Sequence, residues 1–525
     1  MSQLLSARLS QLQQASWKSA IRGIRRGIER ETLRINPNGT LAQTDHPIAL
    51  GSALTHPLIT TDFSESLLEF ITPAQSDIST TLAQLEDIHR FAVRQLGTER
   101  LGAGSMPCYI AHQDEIRLAQ YGKSNVGKMK TLYRQGLKNR YGSMMQAISG
   151  VHFNFSIPGE FWENYQQLLA DKSPLDEFIS NQYLWLIRNY KRYVWLIVYL
   201  FGASPTMCKS FLEGRKSKYP FSPLGEGALY LPYATSLRMS DLGYTNSAQS
   251  ALAVSYNSLS EYVSGLQQAI STPSAEYQSI GTKVAGEHQQ LNGNILQIEN
   301  EFYSTIRPKR TIKSGERPTC ALSKRGVEYI EVRALDVNPF SPVGIDADQM
   351  RFLDAFLLYC LLEDSPAMSA DDQEVADSNM KKVVAEGRRQ GLDLIEHGQP
   401  RLMQDWAEQL FADLLPIANW LDESTGSDQY AAVVKQYYVT LLNPALTLSG
   451  KILAMQQAPA GGNVLASLSE QYKQYFLEGD YKFYQQAEFE QLAANSLAEQ
   501  QEIEAQDELS FDAYIEHYFA EKPCI

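Results

Sequence analysis

The sequence predicts an α+β protein, because strand patterns and helix patterns fall in different parts of the chain. Up to about residue 345, short apolar runs typical of strands (LLEFIT, GVHFNFSI, NILQIEN and VEYIEVRAL) alternate with helical periods and with turns rich in Gly, Pro and Asn. From about residue 346 the periodicity is helical, with caps and breakers between successive helices. The acidic stretch from Gln485 is predicted to be a solvated helix. We therefore expect a strand-containing region over residues 1–345 and a mainly helical region over residues 346–525 packed on it, with a single domain as the alternative.

Net charge restricts the partners of this protein. The chain of 525 residues carries 46 Lys and Arg against 60 Asp and Glu, a formal net charge of −14. Because nucleic acids and anionic lipids attract basic surfaces, this balance argues against a nucleic-acid or membrane partner. An anionic ligand has to find a local basic site, and such residues cluster in RPKRTIKSGER, from Arg307.

The sequence indicates neither a membrane span nor a secreted protein. The apolar stretch LWLIRNYKRYVWLIVYLFGASP, from Leu184, is interrupted by Arg188, Lys191 and Arg192 before the roughly 20 apolar residues that a span needs. We expect it to be a buried helix. The N-terminus lacks the pattern of a signal peptide, and the five cysteines are scattered singly, without a CxxC pair. A cytoplasmic location is expected.

An unusual arrangement of charges occurs in GIERETLRIN, from Gly27. If this segment is a strand, Glu29, Glu31, Leu33 and Ile35 lie on one face. Two carboxylates beside a partly apolar surface repel each other and resist leaving water. Positive charge is therefore expected between them.

Three other segments offer polar groups of the same kind. In GVHFNFSI, alternation directs His152 away from the core side, and in VEYIEVRAL it projects Glu331 and Arg333 together from one face. In SLLEFIT, Glu69 is a strand residue, and Asp62 precedes it in a loop.

Together these acids and the histidine form a set of hard metal ligands. Taken singly, each acid is more often a solvated residue or an ion-pair partner, and a lone His is more often a hydrogen-bonded core residue. Carboxylate oxygens with one imidazole suit Mg²⁺ or Mn²⁺ better than a metal that prefers thiolates. Bound cations would offset the repulsion in the first strand. The predicted ligands are Glu29, Glu31, Asp62, Glu69, His152 and Glu331.

The usual phosphate-binding motifs do not fit this chain. GKSNVGKM, from Gly122, has the glycine and lysine spacing of a Walker A loop, but Met129 stands where Ser or Thr should reach the metal, and helical sequence precedes it. There is also no Rossmann or protein-kinase signature. If phosphate is handled here, carboxylate-held cations and arginines have to do it.

Six blocks of the sequence closely resemble one family, the proteobacterial type of glutamate–cysteine ligase. They are GIERE, TTDFSESLLEFITP, SGVHFNFS, YLPYATSLRMSDLGYTN, LQIENEFYSTIRPKR and GVEYIEVRALDVNPFSP, and the likeness covers roughly the first 350 residues in order. The family belongs to the glutamine synthetase-like superfamily. The resemblance implies a curved, mostly antiparallel sheet that forms an active-site cradle, surrounded by helices, with a helical C-terminal part.

The resemblance also implies an activity. ATP would drive ligation of the γ-carboxyl of L-glutamate to the amine of L-cysteine through γ-glutamyl phosphate, giving γ-glutamylcysteine, ADP and phosphate, the first step of glutathione synthesis. Arg333 is implied to stabilise the phosphoryl group, and Arg238 to hold the glutamate, at its α-carboxylate or at the developing oxyanion. One cation is implied among Glu31, Asp62 and Glu69, and another among Glu29, His152 and Glu331.

The acceptor pocket is implied by the same likeness. A different acceptor amine on the same scaffold, or a regulatory homologue without turnover, are the alternatives; all of the implied ligands and Arg333 are present, which favours an enzyme. The family resemblance favours a monomer. The residues that match the acceptor pocket are Phe63, Tyr133, Arg134, Gln146, Tyr244 and Tyr303.

Overall fold

The computed structural model describes residues 2–14, 17, 19–212, 216–242, 252, 254–313, 316–459 and 462–520. Their strands are β1 (Arg25–Ile35), β2 (Ile59–Thr61), β3 (Leu67–Ile71), β4 (Arg100–Leu101), β5 (Val151–Ser156), β6 (Thr206–Cys208), β7 (Ser222–Leu224), β8 (Ala228–Tyr230), β9 (Lys283–Val284), β10 (Glu287–His288), β11 (Ile306–Lys309), β12 (Tyr329–Leu335), β13 (Asp393–Glu396) and β14 (Gln399–Leu402).

Helices make up most of the remainder of these residues. In chain order they are α1 (Gln3–Leu12), α2 (Ile78–Gln95), α3 (Asn125–Tyr141), α4 (Gly159–Leu168), α5 (Leu175–Phe201), α6 (Leu259–Ser271), α7 (Ala275–Ile280), α8 (Pro318–Arg325), α9 (Ala347–Leu362), α10 (Ala370–Glu386), α11 (Met403–Thr425), α12 (Gln429–Leu442), α13 (Leu448–Gln457), α14 (Val464–Glu478), α15 (Gln486–Ala505) and α16 (Phe511–Ala520).

The central element is a seven-stranded sheet. Its strands lie in the order β11-β12-β5-β1-β3-β2, and β4 pairs with the far end of β1. Every pair in it is antiparallel. The α+β prediction is therefore confirmed, and the strands quoted from the sequence as LLEFIT, GVHFNFSI and VEYIEVRAL are β3, β5 and β12.

One face of this sheet carries the hydrophobic core. Ile28, Phe70, Phe153 and Ile330 lie on this face and are fully buried. Helix α2 packs on β1 and β3, and helix α5 packs on β11 and β12. Since side chains alternate along a strand, the odd-numbered residues of β1, including its two acids, face the other side.

Helix α5 is buried, as its sequence predicts. Its interrupting charges find partners inside the protein: the Arg188 guanidinium donates to the carbonyls of Tyr256 at 3.0 Å and Ser365 at 3.1 Å. The ammonium of Lys191 lies 5.0 Å from the ring centre of Tyr256. Among the described residues, no helix has the length and apolarity needed to cross a membrane.

The helices after residue 346 share a core with the sheet. A single apolar cluster runs from Leu5 to Phe489 and includes most of α9 and α11. The division at residue 346 stays a prediction, because this cluster crosses it. One detail of the helical prediction is wrong: β13 and β14 form a hairpin, whose turn residues His397 and Gly398 have φ of 48° and 75°, the left-handed values that a two-residue hairpin turn requires.

The strand predicted for NILQIEN is also wrong. These residues form turns and a short 3₁₀ helix, Glu299–Glu301. Local side chains occupy the backbone groups that a strand ladder would use: Gln297 Oε1 accepts from the Leu291 amide at 3.0 Å, and Asn292 Nδ2 donates to the Gln297 carbonyl at 2.9 Å. Such side-chain bonds compete with regular structure.

A buried histidine behind the sheet makes stability depend on pH. His89 in α2 is 1% exposed, and burial, followed by the charge of Arg30, lowers its pKa to about 3. The unfolded chain, with an ordinary pKa of about 6.5, binds a proton first as the pH falls. This contribution to stability is complete above pH ~6.5 and declines by about 2 kcal/mol between pH 7 and pH 5.

We therefore expect His89→Gln to flatten the dependence of unfolding free energy on pH between 7 and 5. The measurement is denaturant unfolding of both proteins across that range. A uniform loss of stability in the variant does not affect the comparison, which concerns the slope. Equal slopes would show that His89 is not held neutral by burial.

Candidate active site

Strand register brings the predicted ligands together on the face of the sheet opposite the main core. Glu29 in β1 lies opposite His152 in β5, and Glu31 lies opposite Glu69 in β3. Glu331 in β12 lies opposite Asn154, two residues along β5 from the histidine. Residues directly opposite in an antiparallel pair share a face. The strand-face prediction is therefore confirmed for all four strands.

His152 sits at the centre of this group. Its Nδ1 is 3.0 Å from Glu29 Oε2 and 3.5 Å from Glu331 Oε1, and its Nε2 is 3.5 Å from Glu31 Oε1. Two sets of ligand atoms fall within 4.8 Å of one another: Glu29, His152 and Glu331, and Glu31, Glu69 and His152. The first set matches one predicted trio. In the second set the histidine stands where Asp62 was predicted.

Two groups that the sequence analysis did not select hold the first pair of acids in place. The Gly150 amide donates to Glu31 Oε2 at 2.6 Å, and Asn154 Nδ2 donates to Glu29 Oε1 at 2.9 Å. Asn154 shares the polar face of β5 with His152, so alternation was the available signal for it. The Gly150 amide could not be found in this way, because every residue except proline has a backbone amide.

Cationic side chains flank the acids at the other end of the group. Arg333 Nη1 is 2.9 Å from Glu331 Oε1, and Lys309 Nζ is 3.4 Å from Glu331 Oε2. Arg307 lies directly opposite Glu331 in the β11–β12 ladder. The RPKR run therefore begins inside a strand, which directs two of its basic residues to the site.

Four acids of this group fall into two kinds, those with a lowered pKa and those with a raised pKa. Burial raises the pKa of Glu331, but the charges of Lys309, Arg333 and His152 outweigh it and hold this pKa well below its ordinary value. Burial and the charge of Glu331 likewise oppose ionisation of Glu29, and the hydrogen bond and charge of His152 bring its pKa below the ordinary value. Both carboxylates are ionised at neutral pH.

The other two acids behave in the opposite way. Burial, followed by the charges of Glu29, Asp62 and Glu31, raises the pKa of Glu69 well above its ordinary value. Burial and the charge of Glu31 also raise the pKa of Asp62. This end of the group lacks a close cation among the described side chains comparable to Arg333 beside Glu331.

The donor set fits a hard divalent cation. Glu331 is 1% exposed, and its Oε2 accepts no hydrogen bond from the described part of the chain, although Lys309 Nζ lies 3.4 Å from it. A buried carboxylate oxygen without a hydrogen bond is costly unless another group takes the place of water. Carboxylate oxygens and one imidazole are ligands that Mg²⁺ and Mn²⁺ accept.

A cavity of about 620 Å³ opens over these ligands. Its lining includes Glu29, Asp62, Glu69, His152, Glu331 and Arg333. Of the predicted acceptor pocket, Tyr244 lies outside the described residues. The other members, Phe63, Tyr133, Arg134, Gln146 and Tyr303, all line the same cavity.

Helix α3 supplies two of these residues, Tyr133 and Arg134. It begins within the sequence GKSNVGKM, where the side chain of Ser124 accepts from the Gly127 amide as an N-cap. The rejection of a Walker A loop is thus confirmed, because no strand leads into it. Arg134 donates through Nε to the Asp62 carbonyl, which ties the helix to the loop that carries this acid.

Arg238 takes a different position from the other predicted residues. It is 3% exposed and is not among the described residues that line the cavity. Its Nη2 donates to the Arg333 carbonyl at 3.0 Å, and it lies against Gly150, whose amide binds Glu31. Arg238 is therefore directly behind two of the site's groups, and its predicted contact with substrate stays a prediction.

Fold and site together define a protein with an acid-lined cavity on an antiparallel sheet, the arrangement that the resemblance to glutamine synthetase-like ligases implies. The model of the family described as glutamate-cysteine ligase matches residues 9–383. The chain belongs to the glutamate–cysteine ligase family.

Known relatives agree with this membership along nearly the whole chain. A glutamate–cysteine ligase of Pseudoalteromonas translucida is 51% identical over 520 residues, 99% of both chains. One of Alcanivorax borkumensis is 49% identical over 98% of this chain and 99% of its own. The crystal structure of glutamate–cysteine ligase from Francisella tularensis in complex with AMP has a TM-score of 0.89 at 38% identity, covering 95% of this chain and 97% of that one.

The position of Arg238 can be tested through stability. A Cβ atom on Gly150 would lie 2.2 Å from Arg238 Nη2 and 2.7 Å from its Cζ. We expect Gly150→Ala to lower the unfolding free energy by about 1–3 kcal/mol, the usual cost of overpacking. The matched control is Gly159→Ala at the start of α4, where a Cβ meets nothing within 4 Å. Equal unfolding free energies of the two variants would place the guanidinium elsewhere.

Proposed function

We propose that this cavity is where the chain joins L-glutamate to L-cysteine at the expense of ATP, giving γ-glutamylcysteine, ADP and phosphate. This is the activity that the family name denotes, and it is the first step of glutathione synthesis. The observation that carries the assignment to this cavity is the group of four carboxylates, one imidazole and the Arg333 guanidinium on one face of the sheet, with Asp62 in the adjoining loop.

Charge supports a position for the nucleotide. The Francisella relative was crystallised with AMP, which supports a nucleotide site in this fold. Arg307, Lys309 and Arg333 bring three cationic side chains to the cavity lining from β11 and β12. Guanidinium and ammonium groups are common partners of phosphate. We therefore place the triphosphate at this end of the cavity.

Two divalent cations are proposed to accompany the nucleotide. Glu29, His152 and Glu331 would hold one, and Glu31, Asp62 and Glu69 would hold the other. The donor atoms suit Mg²⁺ and also Mn²⁺. When bound, such cations neutralise phosphate charge and polarise phosphoryl oxygens.

The chemistry requires this concentration of positive charge. A carboxylate is a poor acyl donor, so its activation as γ-glutamyl phosphate precedes attack by an amine. Both the glutamate γ-carboxylate and the ATP γ-phosphate are anions, and they repel each other until charge is placed between them. Arg333, held by Glu331, is positioned to stabilise the phosphoryl group during transfer. The cysteine amine then attacks the acyl phosphate and displaces phosphate.

The acceptor is proposed to bind on the other side of the cavity. Phe63, Tyr133 and Tyr303 bring aromatic rings to the cavity lining, and Gln146 and Arg134 also line it. An aromatic pocket of this kind separates side chains that differ by a small group by only about 1–3 kcal/mol. A related ligase with another small acceptor amine is therefore the second candidate, and acceptor preference decides between them.

Three further features are proposals carried by the family resemblance. Arg238, whose guanidinium donates to the Arg333 carbonyl, would hold the glutamate. The chain would act as a monomer in the cytoplasm, with small molecules as its partners.

The central test is phosphate release with ATP, Mg²⁺ and L-glutamate, with cysteine, 2-aminobutyrate or ammonia added in turn. We expect the highest rate with cysteine, and γ-glutamylcysteine as the product by mass spectrometry. Glu331→Gln should lower the rate at least ~100-fold, since it removes a ligand charge and releases Arg333. Glu328→Gln is the control, because Glu328 lies just before β12, is exposed and pairs with Arg310. Preference for another amine would support the second candidate.

Cation binding should release protons. Because the pKa values of Glu69 and Asp62 are raised, these carboxyls retain protons at a higher pH than usual, and a divalent cation has to displace them. We expect Mg²⁺ affinity to fall as the pH is lowered, and calorimetric heats to depend on the ionisation enthalpy of the buffer. Glu69→Gln should reduce the number of protons released. Heats that are independent of the buffer would contradict the proposed site.

A further inference from the structure

Helix α16 reaches the active-site cavity from the far end of the chain. Tyr514, His517 and Tyr518 line this cavity together with the catalytic residues. These three positions follow the i, i+3, i+4 spacing that puts side chains on one face of a helix. None of these three residues was selected from the sequence.

Polar contacts fix the approach to α16 and its first turn. Asp507 Oδ2 accepts from the Asn125 amide at 2.5 Å, and the Leu509 carbonyl accepts from Asn125 Nδ2 at 2.9 Å, which joins the segment before α16 to the start of α3. Asp512 binds Lys283 Nζ at 2.7 Å, and His288 Nε2 at 2.9 Å, in the β9–β10 hairpin.

The end of the helix is held separately. Arg317 donates to the Tyr518 carbonyl, and its guanidinium carbon lies 5.0 Å from the centre of the Tyr518 ring. With the contacts of Asp507 and Asp512, α16 is attached at both ends to three different parts of the fold. These contacts hold the helix against the cavity.

Apolar packing connects α16 with the proposed acceptor pocket. Its side chains pack in one cluster with Met129, Leu132 and Leu291, and Tyr133 of α3 belongs to the same cluster. Tyr133 also packs in the cluster that contains Phe63, another acceptor-pocket residue. The α16 residues in the cluster are Phe511, Tyr514, Ile515, Tyr518 and Phe519.

We propose that α16 forms the outer wall of the acceptor side of the cavity, and that Tyr514, His517 and Tyr518 limit the size of the amino acid that enters beside Tyr133. The inference rests on the proposed function. Helix α16 is assigned to the acceptor rather than to the nucleotide because it packs in one cluster with Tyr133, a member of the proposed acceptor pocket. Tyr133 also packs in the cluster that contains Phe63, another member of that pocket. The cations proposed for the triphosphate come instead from β11 and β12.

The substrate class that this wall selects is an α-amino acid with a short side chain. The wall consists of two phenol rings and one imidazole, and all three can contact an apolar side chain by their ring faces or edges. Shortening one of them enlarges the acceptor space and leaves the metal ligands in place. Selectivity should therefore change without a change in nucleotide binding.

The experiment compares Tyr514→Ala with the wild type, using cysteine, 2-aminobutyrate, norvaline and methionine at saturating ATP and glutamate. The ratio of kcat/KM for methionine to that for 2-aminobutyrate should rise about tenfold or more, as an enlarged apolar pocket allows. The KM values for ATP and glutamate should stay within about twofold. The control is Glu516→Ala, an exposed position on α16 that is not among the described residues lining this cavity.

His517→Ala is the second variant, because His517 is exposed and its change leaves the apolar cluster intact if Tyr514→Ala does not fold. It should change the same ratio in the same direction. A raised KM for ATP with unchanged acceptor ratios would assign α16 to the nucleotide, and unchanged values throughout in a folded variant would overturn the proposal. Failure of the proposed function is seen separately, as the absence of cysteine-dependent turnover in the wild type.

Discussion

Mutual repulsion among four carboxylates on one face of the sheet, with a fifth, Asp62, in the adjoining loop, is the constraint that governs the surrounding structure. Glu29, Glu31 and Glu331 are brought within reach of a single imidazole, and water is largely excluded from them. Like charges in such a setting are tolerated only where protons, cations or hydrogen-bond donors compensate them. The fold supplies an amide at Glu31, an amide side chain at Glu29, and Arg333 and Lys309 at Glu331.

The positive charge that compensates these acids is concentrated at the Glu331 end of the group. The Glu331 end carries positive charge that lowers the pKa of this acid, whereas burial and neighbouring carboxylates raise the pKa values of Glu69 and Asp62. The raised pKa values leave room for the cation proposed at Glu69 and Asp62. Full compensation by side chains would leave no electrostatic reason to bind a cation.

Position in the fold divides the cavity into two parts. All but one of the proposed metal ligands lie on paired strands backed by α2 and α5, where register fixes neighbouring side chains closely. The proposed acceptor side is built from α3, the loop containing Tyr303, and α16, which are held by separate contacts. The family model ends at residue 383, yet the relatives align over 98–99% of this chain, so the helical region that carries α16 belongs to the shared architecture.

Alternation along β1, β3, β5 and β12 was readable from the sequence, and with it the face on which each acid and the histidine lie. Family likeness implied their roles and those of Arg333 and Arg238. The sequence could not determine which residues stand opposite one another across strands, since register depends on pairing partners far apart in the chain. That register decides that His152 stands between Glu29, Glu31 and Glu331, that a Gly150 amide binds Glu31, and that Arg238 lies behind Arg333. The position of α16 could not be predicted from the sequence either. The surface against which a short amphipathic helix packs is determined by how the rest of the chain folds.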